Sequence, residues 1–390
     1  MNIRSIDIFC EIIDNFGDIG VVYRVAKELY VKYDKNVKIR VFLNRLDEFM
    51  EINKKCQNLD FQEIEGIEYI TEDYLIKNIY TFETADVIIE AFGCNIYEGY
   101  LSKAKETSKL LLNLEYLSAE NWVEDFHLQE SPLGAKSLKK YFFVPGFTEK
   151  TGGIIGDSLY LTRKEQVNNN IKMYLDKYLK DFNLEYEKTM IGTIFSYEKN
   201  FLNLLEQLEN INQDIFLIIM GEKSQNSFKE IFKEISIEKF GKIYKYGKIK
   251  MYFIDFLNQE EYEELINAVD FNFVRGEDSF IRALLSGKPF LWHAYLQDDL
   301  AHMDKVESFI DREVEYFKNK NFNLNILLEY NKLLKDYNFR KENSLEKSTE
   351  DYGVFFKNLK DIQEMFSDYS EFFIKKCNLI NKLYNFIESY

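Results

Sequence analysis

A chain of 390 residues is too long for one ordinary hydrophobic core and predicts two domains. Its 46% hydrophobic, 16% aromatic and 30% charged content can bury a core, which excludes a disordered or collagen-like chain. Fifty basic against sixty-six acidic side chains leave a formal charge of −16, the wrong sign for a protein that tracks nucleic-acid phosphates, so an anionic ligand has to be held by a local device.

Short apolar, partly β-branched runs alternate with longer stretches of helical period, and this doubly wound α/β pattern appears twice. In the first half, 5–13, 37–43, 86–92 and 109–114 read as buried parallel strands, with a helix over 19–32 after the first. The stretch PGFTEKTGGIIGD at 145–157 reads as the linker. In the second half, 189–195, 214–220, 250–254, 271–274 and 289–292 predict strands, with helices over 260–268 and 279–286. Beyond them, the spacing of Phe355, Phe356, Leu359, Ile362, Met365 and Phe366 suits helices, and no strand signal remains. The predicted domains are therefore 1–157, completed by a terminal helix over about 365–390, and 185–360. Two facing Rossmann-like domains with a helical tail resemble the GT-B glycosyltransferase architecture, an analogy of fold rather than of function.

Cys10, Cys56, Cys94 and Cys377 lie far apart without CxxC spacing, which argues against a disulfide framework or structural zinc and for a reducing cytoplasm. The start has no basic run followed by an apolar core, and no 18-residue uncharged apolar stretch occurs, so export and membrane spanning are not expected. His127, His293 and His302 leave little material for a metal site.

Four groups carry chemistry. DNFGDIG at 14–20 lies where the first strand gives way to its helix, the edge at which open α/β sheets bind ligands. It is no dinucleotide fingerprint, because Gly17 and Gly20 lack the spacing and Asp18 repels a pyrophosphate. Asp14 and Asp18 suit holding a cation or taking a proton, while Asp18 equally suits a plain helix cap. RGEDSF at 275–280 opens a helix and sets Arg275, Ser279 and backbone N–H groups around one point, which suits a diphosphate. Asp278 or Ser279 equally suits a cap, and Glu277 repels a phosphate unless it meets a sugar hydroxyl or orients Arg275. In PFLWHAYLQDDLAH at 289–302, Phe290 and Trp292 read as core, Tyr295 reaches the same edge, and His302 reads as a surface residue. Phe195, Ser196, Tyr197, Phe256 and Gln259 follow strands; the aromatics suit a nucleobase sandwich or simple packing, and Gln259 suits reading a base edge.

Together DNFGDIGVVYRVAKEL, NLEYLSAENWVEDFH, FFVPGFTEKTGGII and NFVRGEDSFIRALLSGKPFLWHAYLQDDLAH resemble the bacterial protein-arginine rhamnosyltransferase family that modifies translation elongation factor P. The resemblance runs from about Ser5 to His302 and departs at His293 and Leu296, where the family pattern leads to a glutamine and a proline. It implies a GT-B fold and inverting transfer of L-rhamnose from TDP-β-L-rhamnose to an arginine of elongation factor P, without a metal; no cofactor is expected. It places acceptor and catalytic aspartates on the first domain and the donor on the second. Asp14 and Asp18 match the family's two aspartates, with Asp18 as general base, and Glu277 joins them as catalytic. Phe195, Tyr197, Phe256, Gln259, Arg275, Asp278, Ser279 and Tyr295 match donor-binding positions.

The residues agree with that chemistry. A guanidinium is cationic at pH 7 and not nucleophilic until it loses a proton, which a carboxylate pair can hold and remove. Three alternatives stay open: another GT-B transferase with a different donor or acceptor, a non-catalytic protein that binds elongation factor P, and a generic dehydrogenase.

Overall fold

The computed structural model describes residues 3–13, 15–133, 138–339 and 349–390. The chain separates into two units, Met1–Ser158 with Phe373–Tyr390, and Leu159–Phe372.

The first unit opens with β1 (Ser5–Cys10), α1 (Asn15–Lys32), β2 (Lys38–Leu43), α2 (Asp47–Ile52), β3 (Phe61–Ile64), β4 (Ile67–Thr71) and α3 (Glu72–Asn78). Then come β5 (Val87–Ala91), α4 (Glu98–Thr107), β6 (Leu110–Leu114), α5 (Trp122–Phe126), β7 (Glu130–Ser131) and β8 (Lys139–Phe143). The described strands form one eight-stranded sheet in the order β3-β4-β2-β1-β5-β6-β8-β7, antiparallel only at its two edge pairs. Ile6, Ile8, Ile39, Val41, Ile88, Ile89, Leu110 and Leu112 are fully buried, which is why the central strands read as near-continuous apolar runs.

Several features of this unit depart from the sequence reading, which also lacks β7 and β8. The first strand ends at Cys10, because the Ile12 N–H turns to Asn44 Oδ1 (3.0 Å) and the Ile13 N–H to Asp18 Oδ2 (2.9 Å), so the ladder stops and α1 starts four residues early at Asn15. The β3–β4 hairpin, absent from the sequence reading, turns on Glu65 and Gly66, both at positive φ (56° and 84°), the pair that a tight two-residue turn requires.

The second unit takes up the chain with α6 (Ser158–Asn169), α7 (Ile171–Leu179), β9 (Thr189–Ile194), α8 (Leu202–Glu209), β10 (Asp214–Ile219), α9 (Glu222–Ile231), β11 (Glu238–Phe240) and β12 (Ile243–Tyr246). It continues with β13 (Ile249–Phe253), α10 (Gln259–Ala268), β14 (Phe271–Arg275), α11 (Gly276–Ser286) and β15 (Phe290–His293), then α12 (His302–Phe317), α13 (Leu324–Asn338), α14 (Gly353–Lys357) and α15 (Leu359–Lys376). Its described strands form a seven-stranded sheet in the order β11-β12-β13-β10-β9-β14-β15, with β13 through β15 parallel.

The sequence boundaries at 157, 185, 360 and 365 differ from those observed. Residues 159–184 build α6 and α7 of the second unit, and the chain returns to the first unit at Phe373, inside α15. There the Ile154 N–H donates to the Cys377 carbonyl (2.7 Å), the Leu379 N–H to the Ile154 carbonyl (2.9 Å) and the Asn378 amide to the Gly156 carbonyl (2.6 Å). Gly153, at φ 80°, lets that backbone approach, since a Cβ would strike the Cys377 carbonyl. The last helix, α16 (Leu379–Ser389), lies on α1 through Tyr384 and Tyr33, with ring centroids 4.9 Å apart.

Candidate active site

In the first unit the chain runs from β1 outward to β2 and β4, and β5 then pairs with β1 on its other side. The loops after β1 and β5 therefore diverge at that junction, the place where open α/β sheets take ligands. Asp18 stands there in the first turn of α1, where the helix dipole favours a carboxylate. It is only 1% exposed, and its two oxygens accept from the Ile13 N–H (2.9 Å) and the Tyr116 hydroxyl (3.0 Å). Asp18 is not the helix cap, because α1 begins before it and its carboxylate reaches back to Ile13 instead. Tyr116 in turn stacks on Phe92 at 4.3 Å, and Phe92, just past β5, takes φ 57° to present its ring. Asp14 lies outside the described residues.

The second unit repeats the geometry. β9 leads outward to β10 and β13, and β14 then pairs with β9 from the other side, so the switch point lies between β9 and β14. Arg275 ends β14 there. Its guanidinium lies 4.4 Å from the Phe195 ring centroid and 5.1 Å from that of Tyr197, and Nη1 donates to the Ser196 carbonyl at 3.3 Å. Burial pulls its pKa below the ordinary guanidinium value, with Tyr197 and Glu198 acting against that shift. Gly221, at φ 73° after β10, leaves room for the Phe195 ring, which a Cβ would meet at 2.8 Å.

Arg275 also occupies the cap position of α11 without a side-chain cap hydrogen bond, and Gly276 follows it at φ 68°. The indole N–H of Trp292 holds the Gly276 carbonyl at 2.9 Å, and the indole stacks on Phe280 at 4.2 Å. Neither Asp278 nor Ser279 is the cap. Asp278 leans along the helix to Arg282, with its Oδ1 3.7 Å from Nε, and Ser279 lies beside the buried Tyr262 phenol. Glu277 is exposed in the same turn.

Tyr295, 64% exposed after β15, meets Tyr197 edge-on at 5.7 Å. Phe195, Tyr197, Arg275 and Tyr295 thus form one cluster. Gln259 opens α10 behind a capping box of Asn258 and Glu261, and Phe256 stands 92% exposed on the loop before it. Phe290 and Trp292 are buried. His302, expected at the surface, is fully buried: it bonds the Asn338 carbonyl through Nε2 (2.9 Å) and accepts the Gln297 N–H at Nδ1 (3.3 Å). Its helix turns inward against α13, a long-range packing that local spacing does not encode. Tyr116 also escaped the sequence reading as a site residue; its place in NLEYLSAENW, directly after a buried strand, was the available signal.

Among the described residues, no group of three or more His, Cys, Asp or Glu side chains could hold a metal ion, and no helix is long and apolar enough to cross a membrane.

The sequence profile of the family described as elongation-factor P (EF-P) rhamnosyltransferase EarP matches residues 6–388. The chain belongs to this family. A protein-arginine rhamnosyltransferase of Pseudomonas putida is 32% identical over 309 residues, 78% of this chain and 80% of that protein. One of Shewanella oneidensis is 33% identical over 324 residues, 78% of this chain and 79% of that protein. The solved structure described as the structural basis for EarP-mediated arginine glycosylation of translation elongation factor EF-P matches with a TM-score of 0.63 at 19% identity, covering 99% of both chains. The EarP family is a family of glycosyltransferases, and the α/β fold with C-terminal helices is of the GT-B class.

Proposed function

We propose that the chain transfers L-rhamnose from TDP-β-L-rhamnose to an arginine side chain of EF-P, with inversion, in the cytoplasm, and without a metal or other cofactor. The observation that carries this reading is the Arg275 guanidinium held over Phe195 and Tyr197 at the start of α11, a fixed cation beside a helix N-terminus on a strongly acidic chain. The family description, an EF-P rhamnosyltransferase, supports the choice of sugar and acceptor.

In this reading the acceptor guanidinium, cationic until it loses a proton, gives that proton to Asp18 as one of its nitrogens forms a bond to the anomeric carbon. Asp14 steadies the guanidinium as a carboxylate partner. The bond from the anomeric carbon to the diphosphate oxygen breaks on the opposite face, and its electron pair leaves on TDP. Arg275, Ser279 and the first turn of α11 meet that developing charge, the part a metal plays elsewhere. Phe195, Tyr197, Phe256 and Tyr295 pack the thymidine, Gln259 reads its polar edge, Asp278 supports the diphosphate end of α11, and Glu277 contacts the sugar or orients Arg275.

The test is the intact mass of EF-P after incubation with this protein and TDP-β-L-rhamnose in EDTA, with peptide mapping and NMR of the product linkage. One deoxyhexose on an arginine in α configuration is the expected result. No mass gain while TDP still binds overturns the acceptor or the sugar, and a requirement for added divalent cation overturns the metal-free step.

A further inference from the structure

Beneath the donor-binding rings lies a set of side chains to which the proposed chemistry gives no role. Ser196, His293, His302, Tyr337 and Asn338 are all fully buried and polar, where an apolar core would form at less cost. They are joined to one another. The Ser196 hydroxyl bonds His293 Nδ1 at 2.8 Å and the Tyr337 hydroxyl at 2.9 Å. The side chain of Asn338, the residue after Tyr337, grips the backbone on both sides of His293. Its Nδ2 donates to the Trp292 carbonyl and its Oδ1 accepts the Ala294 N–H, each at 2.8 Å. His302, whose Nδ1 accepts from Gln297, donates through Nε2 to the Asn338 carbonyl at 2.9 Å.

The places that this network fixes are telling. Ser196 directly precedes Tyr197, and Ala294 directly precedes Tyr295. The Ser196 carbonyl is also the one on which Arg275 Nη1 rests, and the Ser224 hydroxyl clamps the same residue, accepting the Ser196 N–H at 2.7 Å and donating to its carbonyl at 3.0 Å. The His293 ring stands edge-on to both Tyr197 (5.3 Å) and Tyr337 (5.2 Å). Loops at strand ends are ordinarily the least stable parts of such a sheet, and pre-ordering them removes an entropic cost from ligand binding.

We propose that His293 is a positioning residue for the nucleotide sugar: through Ser196 it holds Tyr197 and Arg275 in their binding poses before the donor arrives. The inference rests on the donor reading above, and it assigns His293 no contact with substrate. Binding to the free enzyme and donor KM should therefore report it, while acceptor KM and kcat should not.

The experiment measures TDP affinity by calorimetry, steady-state kinetics for both substrates, and thermal midpoints for the wild type and His293→Phe, Ser196→Ala, the double variant and His293→Gln. Phenylalanine keeps the flat ring and loses the hydrogen-bonding nitrogen; glutamine keeps a polar group able to bond Ser196. His293→Phe and Ser196→Ala should each raise the TDP Kd and donor KM by about fivefold to tenfold, with kcat and acceptor KM within about twofold. Because the two residues act through one bond, the double variant should fall within about twofold of either single variant. His293→Gln should recover most of the affinity. An unchanged TDP Kd in a folded His293→Phe overturns the proposal, as does a loss that falls on kcat or acceptor KM. Should His293→Phe fail to fold, Ser196→Ala with Tyr337→Phe gives the same decision. A wild-type protein that does not bind TDP at all overturns the donor reading itself, a result distinct from a variant that binds as well as the wild type.

Discussion

The Tyr116 hydroxyl donates to Oδ1 of Asp18 at 3.0 Å, while the Ile13 N–H takes Oδ2, so this nearly buried carboxylate is aimed by one donor on each oxygen. Such fixing suits the proposed role of Asp18 as base, because misplacement by a fraction of an ångström lengthens a proton transfer.

Asp18→Asn should reduce rhamnose transfer by about 10²-fold or more while TDP affinity stays near wild type. Tyr116→Phe should leave transfer measurable and reduce it by about fivefold to a hundredfold, the range of one hydrogen bond to a charged group. Intact-mass time courses on EF-P and calorimetry with TDP check both. A large loss of TDP affinity in Asp18→Asn would move that residue from the proton-transfer step to donor binding.

Arg275→Ala should weaken TDP binding by about 1.5–3 kcal/mol. Arg275→Lys should restore only part of it, since an ammonium cannot lie flat over Phe195 and Tyr197 and still present a fork to phosphate oxygens. Equal TDP affinity in the wild type and the alanine variant, read by calorimetry, would reject the diphosphate assignment.

His127 supplies a pH-dependent part of stability. Burial, with Lys382 adding to it, lowers its pKa to about 4, and its neutral Nδ1 accepts the Val144 N–H at 3.1 Å. The unfolded chain takes up this proton near the ordinary histidine value of about 6.5 and the folded chain only near the lower one, so between the two values the unfolded state binds more protons. The contribution is full above about pH 6.5 and is lost as pH falls towards about 4. His127→Gln should flatten the fall of the thermal midpoint between those limits; an identical slope in variant and wild type would show that His127 does not carry it.

Gly192 lies in β9 with the Phe271 ring of β14 where its Cβ would be. Gly192→Ala should cost about 1–3 kcal/mol by overpacking, seen as a lower urea midpoint with unchanged slope. A midpoint equal to that of the wild type would mean that the ring has room to swing aside.

The sequence made the central parallel strands legible because they are buried on both faces: Ile6, Ile8, Val41 and Ile89 leave no polar alternation to confuse with a helix, whereas the parallel strands β4 and β8, partly exposed, went unread. It was silent on the edge hairpins, since β3, β7, β11 and β12 are short and partly exposed, and their registers depend on turns such as Glu65–Gly66. The cluster of Arg275 with Phe195, Tyr197 and Tyr295 was recoverable because each residue ends or follows a parallel strand, and the carboxyl edge gathers them. Tyr116 with Asp18, and Asn338 with the two sides of His293, were not. Those are bonds across 98 and across 44 and 46 residues, made by polar side chains that read locally as ordinary turn or helix residues.

The C-terminal segment Phe373–Tyr390 belongs to the first unit, although the whole second unit is threaded between. While the chain is being made, β1 to β8 can form early, but the Ile154 backbone waits for Cys377 and Leu379, and α1 waits for α16. The unit bearing Asp18 is thus finished only after every residue of the unit bearing Arg275 has been synthesised, at a rate of about 5–20 residues per second. A nascent chain would therefore complete the sheet that carries Arg275 before the unit that carries Asp18 receives its last helix.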